Sequence, residues 1–140
     1  MLEKIHHLGI AVRSIEQRLG FWTRGLGLKP PQLEEVAHEK VMVAMLEVGE
    51  SRIELLEPTA PDSAIATFLA RRGEGLHHVC FAVKDIRQAL EQVAAQGYRV
   101  VGEAPRRGAG GALVAFLHPR STGGILIELE EERDRWEEAP

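Results

Sequence analysis

With 140 residues, a formal charge of -4 and 44% apolar residues, the chain has the size of one domain and enough apolar content to bury a core without disulfides. Its acids gather at the end, in ELEEERDRWEEAP, and no block of lysines or arginines stands elsewhere, which excludes the clustered positive charge that nucleic-acid binding needs. No apolar run is long enough to span a membrane or to act as a signal peptide, and the one cysteine, Cys80, lies in the apolar run VCFAV, so a soluble, cytoplasmic and reduced protein is expected.

In chain order, the first predicted element is a strand in IHHLGIAV, followed by a turn at Arg13-Ser14 and an amphipathic helix with Ile15, Leu19 and Trp22 on one face. Gly25-Leu26-Gly27 closes that helix. Strands VMVAML and RIELLE follow, joined by a tight turn at Gly49-Glu50 that pairs Met45 with Glu54. Asp62 or Ser63 caps a helix from Ala64 to Arg71, which Gly73 and Gly75 end. The opening is then repeated: IHHLGIAVRSI at residues 5–15 becomes LHHVCFAVKDI at residues 76–86. Asp85 caps a second helix with the stripe Ile86, Leu90, Val93 and Ala94, and Gly97 ends it. Three strands are predicted after it, in YRVVGE, ALVAFLHP and GGILIELE. VAML at 43–46 recurs as VAFL at 114–117, and RIELLE at 52–57 as LIELEE at 126–131, so the second copy carries three more residues in its hairpin. The expected fold is α+β, two tandem βαβββ modules forming a curled mixed sheet around a ligand-binding concavity. It is read as a single domain, with module 1 at about residues 4–58, a linker helix at about 59–75, module 2 at about 76–131 and an acidic tail at 132–140.

Strand alternation sorts the histidines. His7, Gly9 and Ala11 share one face, while His6 groups with Leu8, Ile10 and Val12; likewise His78 shares a face with Cys80 and Ala82, opposite His77, Val79 and Phe81. His6 and His77 therefore belong to the helix-packed side, and His7 and His78 point to the concavity. Glu54 and Glu128, each in mid-strand between large apolar residues, are costly to bury unless a positive charge offsets them. One histidine and one glutamate per repeat, at equivalent positions, form the pattern of a divalent metal site with nitrogen and oxygen donors.

The doubled module with these four residues resembles the vicinal oxygen chelate superfamily over nearly all of residues 1–130. Within it, GEGLHHVCFAVKDI, FLHPRSTGGILIEL, IHHLGIAV and RIELLEP resemble the methylmalonyl-CoA epimerase family. The resemblance implies a homodimer that acts on a small acyl-CoA, and charge and hydropathy leave no nucleic-acid or membrane partner expected. It also implies a divalent metal ion (cobalt, manganese or zinc) on His7, Glu54, His78 and Glu128. The implied reaction is interconversion of (R)- and (S)-methylmalonyl-CoA by metal-assisted proton transfer through an enolate. Glu128 is implied as one acid/base. The family's second glutamate aligns with Val43, which leaves Glu54 and Glu47 as candidates for the opposite role. The extra hairpin residues make HPRSTGG a loop in which Ser121 and Thr122 are candidates to bind a carboxylate or carbonyl, and Arg120 to meet a coenzyme A phosphate. RRGAGG is a second candidate for a basic lip. The alternatives on the same scaffold are a glyoxalase I-type lactoylglutathione lyase and a metal-free small-molecule-binding resistance protein.

Overall fold

The computed structural model describes residues 1–132, so the expected acidic tail lies, after Glu132, outside the described residues. By its internal contacts the chain divides into two compact units, one of residues His7–His77 and one of Met1–His6 with His78 onward. The divisions fall between the two histidines of each His-His pair, and the helix expected as a linker stays with the first unit.

The first unit follows the order strand, helix, three strands. β1 (Leu2–Ala11), which belongs to this unit from His7 on, leads to α1 (Ile15–Gly20), and the chain then widens into a π-helical turn, Phe21–Gly25, before β2 (Leu33–Val36), β3 (Val41–Val48) and β4 (Ser51–Pro58). The strands lie in the order β2-β3-β4-β1, with β1 parallel to β4 and the other pairs antiparallel. Gly49, at φ 60, supplies the positive dihedral that the first position of the two-residue β3–β4 loop needs, and the expected Met45–Glu54 pairing is present. On one face, Val12, Ala44, Leu46 and Leu55 pack with Ile15, Leu19 and Trp22 of the helix. The apolar stripe read from the sequence is thus the packed stripe, even though the helix loosens after Gly20. Ser63, and not Asp62, caps α2 (Ala64–Arg72) by accepting from the Ala66 N–H at 3.0 Å; Asp62 is held in a close ion pair with Lys40.

The second unit repeats the plan with β5 (Gly75–Val83), α3 (Ile86–Ala95), β6 (Arg106–Arg107), β7 (Leu113–Leu117), the short α4 (Pro119–Thr122) and β8 (Ile127–Glu131). Its strands lie in the order β5-β8-β7-β6, with β5 parallel to β8. Val83, Ile86, Ala89, Ala115 and Leu129 form its core. The strand expected in YRVVGE is absent. Val100 makes one bridge to Leu117 and the Val101 N–H reaches the Phe116 carbonyl, but Gly102 at φ 61 turns the chain away, and pairing resumes only at β6.

A carboxylate at each helix start is repeated between the units and was not read from the sequence. The Ile15 N–H donates to Glu57 Oε1 at 2.7 Å, and the Ile86 N–H to Glu131 Oε2 at 3.4 Å. Ser14 and Asp85 cap the same two helices through the N–H groups of Gln17 and Gln88. Four N–H groups at a helix start lack intrahelical partners, so an acid brought by the last strand both satisfies one of them and meets the positive end of the helix dipole. Glu57→Gln is expected to lower stability by about 1 kcal/mol in urea unfolding at neutral pH, and Glu131→Gln by less, because its contact is longer.

Glu74 closes the first unit differently. Its carboxylate accepts from the Arg13 backbone N–H at 2.8 Å and from Arg18 Nε at 2.8 Å. The hydrogen bond from the Arg18 side chain, helped by that from the Arg13 backbone, holds the Glu74 carboxyl below its ordinary range. A depressed carboxyl pKa contributes stability that is present above the ordinary value and is lost as pH falls through the lowered one. The stability gap between the wild type and Glu74→Gln, read from urea midpoints along a pH series, should therefore be largest at neutral pH and close in acid.

Candidate metal centre

Strand register places the candidate residues. In the first unit Gly9 pairs with Glu54 and Met45 pairs with Glu54, so His7, Gly9, Glu54, Met45 and Val43 share the face opposite the helix. His7 Nε2 stands 3.6 Å from Glu54 Oε1, with both residues buried at 1% and 6% exposure. In the second unit Cys80 pairs with Glu128 and Phe116 pairs with Glu128, which puts His78, Cys80, Phe116 and Glu128 on one face. His78 Nε2 stands 3.0 Å from Glu128 Oε1, and these two are likewise buried. Phe116 meets the His78 ring edge-on at 5.8 Å and limits how that imidazole can turn.

Each unit thus joins one imidazole nitrogen to one carboxylate oxygen in a buried setting. Two donors that share a cation at about 2.1 Å each stand roughly 3 Å apart, so both pairs have the separation that a small divalent ion needs. Imidazole with carboxylate suits borderline to hard divalent cations and does not select one of them.

The other histidines take different partners. His6, expected on the packed side, is buried and bonds through Nε2 to Glu130 Oε2 at 2.6 Å and to Glu132 Oε1 at 3.1 Å, with Lys4 Nζ 3.5 Å from Glu132. His77 rests edge-on against Phe68 at 5.1 Å. Glu130 was missed in the sequence, although the alternation in LIELEE that selects Glu128 selects it too.

The remaining candidates make other contacts. Glu47 is exposed near the hairpin end of β3, opposite Arg52. HPRSTGG is a helical turn and not an open loop: His118 Nδ1 caps it by accepting from the Arg120 N–H at 3.1 Å. The Ser121 hydroxyl oxygen accepts from the Arg99 N–H at 2.9 Å, which ties the turn to the segment after α3, and the Thr122 hydroxyl bonds to the carbonyls of Pro119 and Ile125; Arg120 is exposed. RRGAGG begins as β6 and continues into a short 3-10 turn, where Arg107 donates to the Gly111 carbonyl at 2.8 Å. Among the described residues no helix is long and apolar enough to cross a membrane.

Comparison with known proteins places this architecture. YqjC of Bacillus subtilis, an uncharacterized protein, is 38% identical over 93% of both chains. The structure of methylmalonyl-CoA epimerase from Mycobacterium tuberculosis superposes with a TM-score of 0.93 at 31% identity, covering 99% of this chain and 93% of that one. A methylmalonyl-CoA epimerase solved in complex with methylmalonyl-CoA and ammonium gives a TM-score of 0.90 at 35% identity, covering 94% of this chain and 96% of that one. The Glyoxalase/Bleomycin resistance protein/Dioxygenase superfamily pattern matches residues 6–116. With a match over most of its length and the doubled βαβββ order behind it, the chain belongs to the Glyoxalase/Bleomycin resistance protein/Dioxygenase superfamily.

Proposed function

We propose that the chain is an isomerase, a methylmalonyl-CoA epimerase, with His7, Glu54, His78 and Glu128 as the ligands of one divalent cation. The observation that carries the reading is the buried imidazole–carboxylate pair present at repeat-equivalent positions of both units, in a chain similar along nearly its whole length to enzymes of that name. Cobalt, manganese and zinc all suit this donor set. When bound, such a cation supplies a Lewis acid for the neighbouring oxygens of a substrate.

The substrate carbon lies between a thioester carbonyl and a carboxylate. Inversion requires a base that takes its proton on one face, leaving the electron pair delocalised into the thioester as an enolate, and an acid that returns a proton on the other face. Glu128 is assigned one of these roles: it is buried, and the His78 contact and the β7–β8 pairing fix its carboxylate. Glu54 is assigned the opposite role as its repeat equivalent. Glu47, exposed and opposite Arg52, is the alternative. Burial keeps water from the carboxylates and so favours return of the proton to the same carbon. Arg120, exposed on its turn, is assigned a coenzyme A phosphate, and Ser121 and Thr122, whose hydroxyls also bond to backbone there, are assigned a substrate carboxylate or carbonyl. A homodimer belongs to the same proposal, and sedimentation equilibrium tests it.

The deciding experiment is proton NMR of racemic methylmalonyl-CoA in D2O with protein stripped of metal and resupplied with cobalt. Loss of the C2 proton signal should depend on cobalt. For the epimer whose proton faces Glu128 it should slow by roughly 100-fold or more in Glu128→Gln, the range for loss of a general acid or base. Exchange no faster than in a protein-free control, with metal bound in equimolar amount, would overturn the epimerase reading in favour of a thiol-adduct isomerase. Bound cobalt, counted by elemental analysis after dialysis, should fall sharply in His7→Ala and in His78→Ala. Glu54→Gln keeps an oxygen donor and removes the base, so interconversion of the two epimers that persists at the wild-type rate in that variant moves the second role to Glu47.

A further inference from the structure

Two arginines make up β6, the strand at one end of the second unit's order, and they point to opposite faces. Arg106 pairs with Val114, which pairs with Glu130; Arg107 pairs with Leu113 on the helix-packed side, is exposed and donates to the Gly111 carbonyl. Alternation therefore puts Arg106 on the face that carries Phe116, Glu128 and His78. Its guanidinium carbon lies 5.3 Å from the centre of the Phe116 ring, and that ring is the one set edge-on against His78. Arg106 is half-buried, and stacking on an aromatic face fixes the direction of its planar fork. The backbone just after it is tightly seated: a Cβ on Gly108 would come within 3.0 Å of Val114 Cγ1, so the residue that follows β6 cannot carry a side chain without moving its neighbour.

The charges on this face make the role specific. β8 places two carboxylates on it, Glu128 and Glu130, and a substrate of the class proposed above brings a third negative group, the free carboxylate of its acyl part. Among the residues of β5 to β8, Arg106 is the one permanent cation on that side. A guanidinium fork matches a carboxylate with two parallel hydrogen bonds, and a partly desolvated one binds it far more strongly than a solvated lysine would. Resting on the epimerase reading, we propose that Arg106 binds the free carboxylate of the acyl group and so determines specificity for a 2-carboxyacyl thioester over a plain acyl thioester.

The test compares binding of methylmalonyl-CoA and propionyl-CoA, which lacks the carboxylate, to the cobalt-loaded protein by calorimetry. In Arg106→Met, which keeps an apolar stem over Phe116, affinity for methylmalonyl-CoA should fall roughly 10- to 100-fold while that for propionyl-CoA stays within about 2-fold. Arg106→Lys, which retains charge and stem and loses the fork, should show a smaller loss of the same selectivity and carries the test if the methionine variant does not fold. Equal weakening of both ligands would mean a contact to the coenzyme A phosphates and would overturn the assignment, as would unchanged affinity for both. A wild-type protein that binds propionyl-CoA but not methylmalonyl-CoA would overturn the epimerase reading itself, and this assignment with it.

Discussion

The arrangement rests on the cost of burying a carboxylate. Removing an ionised acid from water without compensation costs several kcal/mol, and Glu54 and Glu128 are both taken out of water in the middle of a strand. An imidazole nitrogen beside each carboxylate is a partial answer, and a divalent cation between them is a complete one. Much of the surrounding sequence follows from that need. Each glutamate sits on a strand parallel to the one that carries its histidine, which brings two residues about fifty apart in sequence into contact.

The repeat was legible because its spacing is strict. Offsets of 71 (7 to 78) and 74 (54 to 128) select one histidine and one glutamate per copy, and alternation orders them onto one face without any knowledge of the third dimension. The Met45–Glu54 register was legible for a related reason, since a two-residue loop at Gly49 leaves only one pairing. The α+β class and the order of elements followed from these same repeats.

What stayed hidden depended on contacts that local pattern does not encode. YRVVGE has the composition of a strand, yet Gly102 and Pro105 prevent it from continuing, and a turn preference weighs more than β propensity at the edge of a sheet. HPRSTGG reads as a loop because of its glycines, but Pro119 suits the first position of a helix and His118 caps it. Glu57 and Glu131 look like ordinary surface acids of a strand end, and only the packing of strand against helix shows that each reaches a backbone N–H. Arg106 and Arg107 are adjacent and chemically identical; two residues of β6, hardly a strand at all, decide which one faces the carboxylates.

The brevity of that strand has another consequence. β2 and β6 each stand at one end of the strand order of their unit, four and two residues long, and proline precedes each of them. β2 also carries adjacent acids, Glu34 and Glu35. An outer strand exposes unpaired backbone groups that can template the addition of another chain, and short, charged, proline-flanked ends offer little length for it. At these two ends the sheet gives little purchase to the runaway pairing that forms fibrils.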